Sequence, residues 1–191
     1  MHVNNNFFND LFSNDFNSEY DHSCRIEDFN GRKSFHIDCS GFMYWCLAQM
    51  GYRRALVELR AFLKENDFIK INRFFCKDFA FIYEHADRFR YWRFLNTPTQ
   101  DSVLVVMYPD GQGHCMWIDN IINSDETEWL MRVIDSTRFP HKHDSRIDVT
   151  GIGIGDIKII RLDNGWIYDS GNPLLPPRAA KLYFVSPVKQ V

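Results

Sequence analysis

The feature that most constrains this chain is where its strand-forming residues lie. After Pro98 the helical patterning gives way to a succession of β-branched and aromatic runs. Residues 102–108, S-V-L-V-V-M-Y, have the composition of a buried strand. Residues 114–122 and 129–135 read as two more strands, divided by the polar stretch 123–128, and 155–162 and 182–186 complete a sheet of about five strands, antiparallel or mixed. Ahead of Pro98 the chain reads as helical. Cys39, Phe42, Met43, Cys46, Leu47 and Met50 recur at helical spacing, between an N-capping Asp38 and a terminating Gly51. Further helices are expected over 55–65 and 73–85, followed by the short basic and aromatic segment 88–95. Helices first and strands second predict a segregated α+β fold, with N-terminal helices packed on the sheet.

Composition narrows the class. At 191 residues, 45% of them hydrophobic, the chain can build a real core and is not a mostly disordered polymer. With no internal repeat or linker-like stretch, a single domain over 35–191 is expected, preceded by an irregular Asn-rich arm at 1–34. Five cysteines, an odd number without paired spacing, argue against a disulfide-stapled scaffold. The aromatic content of 16% supplies the buried area instead. A net charge of −3 calls for neither nucleic acid nor an anionic membrane as partner. No apolar run approaches the ~18–20 residues of a membrane span. Residues 1–20 lack a basic start followed by an apolar core, so no secretory signal is expected. That favours a cytoplasmic protein, or one exported by an effector-type route, unless a signal has been removed.

Three residues suggest chemistry. Cys39 begins the first helix, where the helix dipole and unpaired N–H groups favour a thiolate. A buried, inert core cysteine is the competing reading. His114 and Asp135 fall opposite one another if the hairpin turn is centred between Ser124 and Asp125. The same register pairs Met116 with Val133 and Ile118 with Met131, all on the face expected to receive the helix. A carboxylate that fixes an imidazole beside a thiol is the arrangement of a cysteine nucleophile with its base.

Asp38-Cys39-Ser40-Gly41-Phe42 resembles the D-C-S-G-[LF] signature of the NlpC/P60 family of cysteine peptidases and amidases. Gly113-His114 before an apolar strand, and Val133-Ile134-Asp135-Ser136, resemble its second and third motifs. The resemblance covers roughly residues 35–160. It implies a papain-like fold with a helical insertion around 53–97, and catalysis by Cys39, His114 and Asp135. Asp38 and Ser40 would lie beside the oxyanion site, and Phe35, Trp117 and His141 at the cleft rim. The implied substrate is an amide in peptidoglycan stem peptides or related peptides, with no cofactor, no metal and no nucleic-acid partner. Phe35 stands near where the family often carries a tyrosine and has no hydroxyl. The run from His114 through Trp117 and Trp129 to Asp135-Ser136-Thr137 is also similar to the H-x-W…W…D-x-T pattern of transglutaminase-like enzymes. Transglutaminase or deamidase activity on proteins, as by an effector, and a non-catalytic binding module therefore stay open.

Other features read more plainly. His141-Lys142-His143-Asp144 suits a solvated loop better than a metal cluster. Gly151, Gly153 and Gly155 lack dinucleotide-fingerprint spacing and suit a tight bend or a close backbone approach. Arg88, Arg90 and Arg93 interleave with Phe89, Tyr91 and Trp92 as a solvated face over buried rings.

Overall fold

A computed structural model describes residues 3–14, 16–66, 74–146 and 150–189. The elements in chain order are α1 (Val3–Ser13), β1 (Phe16–Glu19), β2 (Arg25–Phe29), β3 (Arg32–His36), α2 (Cys39–Gln49), α3 (Arg53–Glu65), α4 (Cys76–Glu84), β4 (Trp92–Leu95), β5 (Ser102–Met107), β6 (Gly113–Ser124), β7 (Glu128–Thr137), β8 (Gly151–Leu162), β9 (Gly165–Asp169) and β10 (Arg178–Pro187). A single 3-10 turn, Ala86–Arg88, precedes β4.

The expected papain-like arrangement, helices laid on an open sheet of about five strands, is not what forms. Strands β10-β5-β6-β7-β8-β9 pair in that order, and β9 pairs back onto β10, which closes an antiparallel barrel of six strands with β4 flanking β10. Closure depends on β9, a five-residue strand absent from the expected set. It is joined to β8 across a tight turn in which Leu162 faces Gly165. Closure also depends on the first residues of β10, which bend away from β5 so that Arg178–Ala180 can meet Trp166–Tyr168. Long strands with their natural twist curl on themselves when both edges find partners.

Closure explains why residues 102–107 are apolar without alternation: both faces of the wall are covered. Leu104, Val106, Met116, Ile118, Met131, Val133, Ile157 and Ile159 fill the barrel interior. Val103, Val105, Cys115, Trp117, Ile134 and Val185 point outward into a second core, beneath the helices. The face shared by Met116 and Val133 is therefore the lumen of the barrel, and α2 lies against the opposite face.

Helix α2 is apolar nearly all round, as suits a helix enclosed on several sides. Phe42, Met43, Cys46 and Leu47 are fully buried. On its far side Trp45 meets Phe35 edge-on at 4.9 Å and Phe7 at 5.6 Å. Residues 3–36 are thus not an irregular arm. They form a helix and a three-stranded sheet, with β1 parallel and β2 antiparallel to the central β3. Side-chain bonds tie this part of the chain to the barrel: Ser136 Oγ donates to the Ile37 carbonyl at 2.6 Å, the Ile152 N–H donates to Ser18 Oγ at 2.9 Å, and the Tyr20 N–H donates to Thr150 Oγ1 at 3.2 Å. Helices α3 and α4 match the expected 55–65 and 73–85 closely, although residue 73 lies outside the described residues. Among the described residues no helix is long and apolar enough to cross a membrane.

Candidate active site

A cleft of about 720 Å³ opens where the start of α2, the start of α4 and the first residues of β6 converge. Cys39, Cys76 and His114 line it, together with Tyr20, Asp38 and Ser40.

Cys39 is the first residue of α2, and Asp38 caps the helix as expected. Asp38 Oδ1 accepts from the Gly41 N–H at 2.8 Å and from the Ser40 hydroxyl at 3.0 Å, while Oδ2 lies 3.0 Å from His22 Nδ1. The Phe42 N–H is bonded to the Asp38 carbonyl. A helix cannot satisfy the first N–H groups of its own backbone, so those of Cys39 and Ser40 have no acceptor within α2. They make this end of the helix a donor site beside the thiol.

His114 Nε2 lies 2.5 Å from Asp135 Oδ2. The hairpin register nevertheless differs from expectation. Trp117 pairs with Ile134 and Ile118 with Val133, and continuing that register sets Asp135 opposite Met116. The two side chains meet diagonally, on the same face but one step apart. The shift has local causes. The Asp125 carboxylate accepts from the backbones of Thr127 and Glu128 and draws the turn toward 125–128. Two irregularities, at Ile118/Asn120 and Ile121/Asn123, then absorb residues that constant-sum pairing assumes are absent.

Asp135 is completely buried, and both of its oxygens are occupied. His141 Nε2 reaches the same Oδ2 at 2.8 Å, and Arg146 Nη2 reaches Oδ1 at 3.0 Å. Arg146 is held by Asp144 through Nε at 2.7 Å and Nη2 at 2.6 Å, and donates to the Gly151 carbonyl at 2.7 Å. The 141–146 segment lies tight against β8 because that strand presents glycine. A Cβ on Gly153 would stand 2.5 Å from Arg146 Nε, and one on Gly155 2.6 Å from His141 Cβ. The close backbone approach read from these glycines is what the structure contains.

Electrostatics follow from this wiring. Asp135 is held well below the ordinary carboxylate range. Burial opposes its charge, but His141, Arg146 and His114 outweigh burial. Burial also disfavours a charged His114, yet the negative charge of Cys39 and the bond to Asp135 push its pKa up to about 10. The Cys39 thiol is held well below its usual value, by hydrogen bonding to Cys115 and Cys76 and then by the charge of His114. With Nε2 bonded to Asp135, Nδ1 is the ring nitrogen left for proton exchange. Cys46, by contrast, is pushed up by burial and belongs to the core.

The expected rim residues lie elsewhere. Phe35 and Trp117 are 0% and 1% exposed and belong to the core between helix and barrel, because each lies on the inner side of a two-faced element. His141 is not at the rim or in a solvated loop but buried behind Asp135, as its second imidazole partner. Of the neighbouring residues, His143 contacts Asp156 and Lys142 bridges to it. Arg88, Arg90 and Arg93 are exposed, over a buried Phe89 and Trp92.

Three residues of the site were not singled out from the sequence. Tyr20 brings a hydroxyl-bearing ring to the cleft, and its phenol is held protonated by burial and by the charges of Cys39 and Asp38. Only folding of residues 16–36 into a sheet brings it there. Arg146 carried no local signal. Cys76 had one, as a second cysteine heading an apolar-striped helix.

Among the described residues two donor sets are compact enough to hold a metal ion: the sulfurs of Cys39, Cys76 and Cys115, and His114 with Asp135 and His141. In the second set both histidines already bond directly to the carboxylate, which accounts for its compactness without an ion. Comparison with protein-family models, with curated proteins and with solved structures gives no match to this chain.

Proposed function

We propose that this protein is a cysteine hydrolase that cleaves an amide bond, with Cys39 as nucleophile, His114 as general base and acid, and Asp135 orienting His114. One observation carries the reading. A thiol at a helix N-terminus and an imidazole fixed by a fully buried carboxylate line one open cleft, and each favours the charged form of the other.

The chemistry follows from the roles. The Cys39 thiolate attacks the carbonyl carbon, and the oxyanion receives the N–H groups at the start of α2. His114 protonates the departing amine as the C–N bond breaks, leaving a thioester. His114 then takes a proton from water, hydroxide adds to the thioester carbon, and the carboxylic acid leaves as the thiolate reforms. The likeness of Asp38–Phe42 to the D-C-S-G-F signature favours peptidoglycan stem peptides or related small peptides as substrate.

The test compares wild type with Cys39→Ala on purified muropeptides, with mass-spectrometric detection of products. Cleavage by wild type and none by the variant is expected. Equal cleavage by both would remove Cys39 from the mechanism, and cleavage by neither would exclude this substrate class.

A further inference from the structure

The mechanism above leaves Cys76 without a task, although its placement is specific. It is the first residue of α4, as Cys39 is of α2, so two helix N-termini bring their opening thiols together. The two sulfurs lie 3.5 Å apart, and both side chains line the cleft. Cys115 lies 3.5 Å behind Cys76 but is fully buried in the wall of β6. Cys39 therefore faces the cleft with a second thiol in contact, the geometry of a reactive cysteine and a resolving partner.

We propose that Cys39 and Cys76 form a modification site for hydroperoxides, in which Cys39 is oxidised and Cys76 captures it as a reversible disulfide. In the first step the Cys39 thiolate attacks one oxygen of the hydroperoxide. The O–O bond breaks, sulfur gives up two electrons, and the departing alkoxide or hydroxide takes a proton. Cys39 is left as a sulfenic acid. In the second step the Cys76 sulfur attacks the sulfenic sulfur. The S–S bond forms, the S–O bond breaks, and hydroxide leaves with the Cys76 proton as water. A dithiol reductant restores both thiols.

Charge supports this order of events. Cys76 is held in the thiol form. The hydrogen bond from Cys115 favours its ionisation, but burial and the neighbouring Cys39 outweigh that bond. Oxidation turns Cys39 from an anion into a neutral sulfenic acid, which lifts its share of the restraint on Cys76 as the second step requires it. The distance is also favourable, since sulfurs already 3.5 Å apart must close to about 2.05 Å to form a disulfide. The inference rests on the nucleophilic character of Cys39, not on amide cleavage.

The experiment treats the reduced full-length protein with a severalfold excess of hydrogen peroxide at neutral pH in the presence of a chelator, followed by non-reducing intact mass and peptide mapping. Wild type should lose two hydrogens, yield a Cys39–Cys76 linked peptide, and recover fully with dithiothreitol. Cys76→Ser should instead accumulate Cys39 carrying two added oxygens, which dithiothreitol does not remove. Cys115→Ala should still form the bridge. Over-oxidised Cys39 without a bridge in wild type, a bridge between any other pair, or no reaction would each overturn the proposal. Muropeptide cleavage by the reduced protein is measured separately, so loss of one reading does not carry the other with it.

Discussion

A single oxygen, Oδ2 of Asp135, serves two imidazoles, lying 2.5 Å from His114 Nε2 and 2.8 Å from His141 Nε2. Asp135 is therefore both the orienter of a cleft histidine and the centre of a buried charge cluster, with Arg146 on its other oxygen. The carboxylate accepts from every neighbour and donates to none, so it must be ionised to fill the position.

Asp135→Asn should unbalance this cluster. The amide offers one acceptor oxygen and a pair of N–H donors where three donors now converge. Breaking a buried ion pair by removing one partner costs about 3–5 kcal/mol. Urea unfolding of wild type and variant at neutral pH measures the loss. A variant as stable as wild type would show that the cluster contributes nothing to folding.

Acid should erase the same contribution. The folded pKa of Asp135 is depressed below its ordinary 3.8, so its stabilisation is fully present above that value. It is lost as pH falls through the lower folded pKa. The stability gap between wild type and Asp135→Asn should hold from neutral pH down to about pH 4 and narrow below it. Denaturant midpoints measured across the acid range test this, and a gap independent of pH would contradict it.

The reactivity of Cys39 should already be high well below pH 9. Its folded pKa lies below the ordinary 9.0, so the thiolate fraction is reached early as pH rises. Alkylation by iodoacetamide, followed by peptide mapping, should label Cys39 before the buried Cys46, whose pKa is raised. Replacing His114 by Ala removes one of the causes of the depression and should move the midpoint for Cys39 upward. An unchanged midpoint would disconnect the two residues.

Amide cleavage should fall on the alkaline side as pH passes about 10, where His114 gives up the proton it must deliver to the leaving amine. The folded value lies above the ordinary 6.5, so protonated His114 persists across neutral pH and is lost only near this upper limit. The pH dependence of kcat/KM reads this limb directly. A limb near 6.5 would mean that the cleft does not hold the charge on His114.

Gly153→Ala should disturb the site from behind. The new methyl would stand 2.5 Å from Arg146 Nε, in a space with no room for it. Overpacking of this kind costs about 1–3 kcal/mol. Thermal unfolding should report the loss, and NMR titration of His114 should show its pKa rising as Arg146 is pushed off Asp135, because the carboxylate's charge is then shared with one cation fewer. A variant with wild-type stability and titration would show that the 141–146 segment yields freely.

Much of the local structure was legible in the sequence, because local rules produce it. Asp38 caps α2, Gly51 ends it, and β5, β6, β7, β8 and β10 stand where β-branched runs predict them, whereas β1 to β4 and β9 were not foreseen. His114 and Asp135 share a face because the two irregularities shift the register by an even number of residues, which preserves parity where a single-residue slip would have reversed it. What was not legible depends on distant partners. Barrel closure depends on a short β9 reaching β10. Phe35 and Trp117 read as rim residues until a second layer covers them. Cys76 and Tyr20 reach the cleft only through packing of α4 and of the small sheet.

The bond from Ser136 Oγ to the Ile37 carbonyl joins residues 99 positions apart. It lies one residue from Asp135 on one side and two from Cys39 on the other. Its length therefore acts as a gauge block between the strand that carries Asp135 and the helix that begins at Cys39, setting their spacing locally and not through the long chain between them.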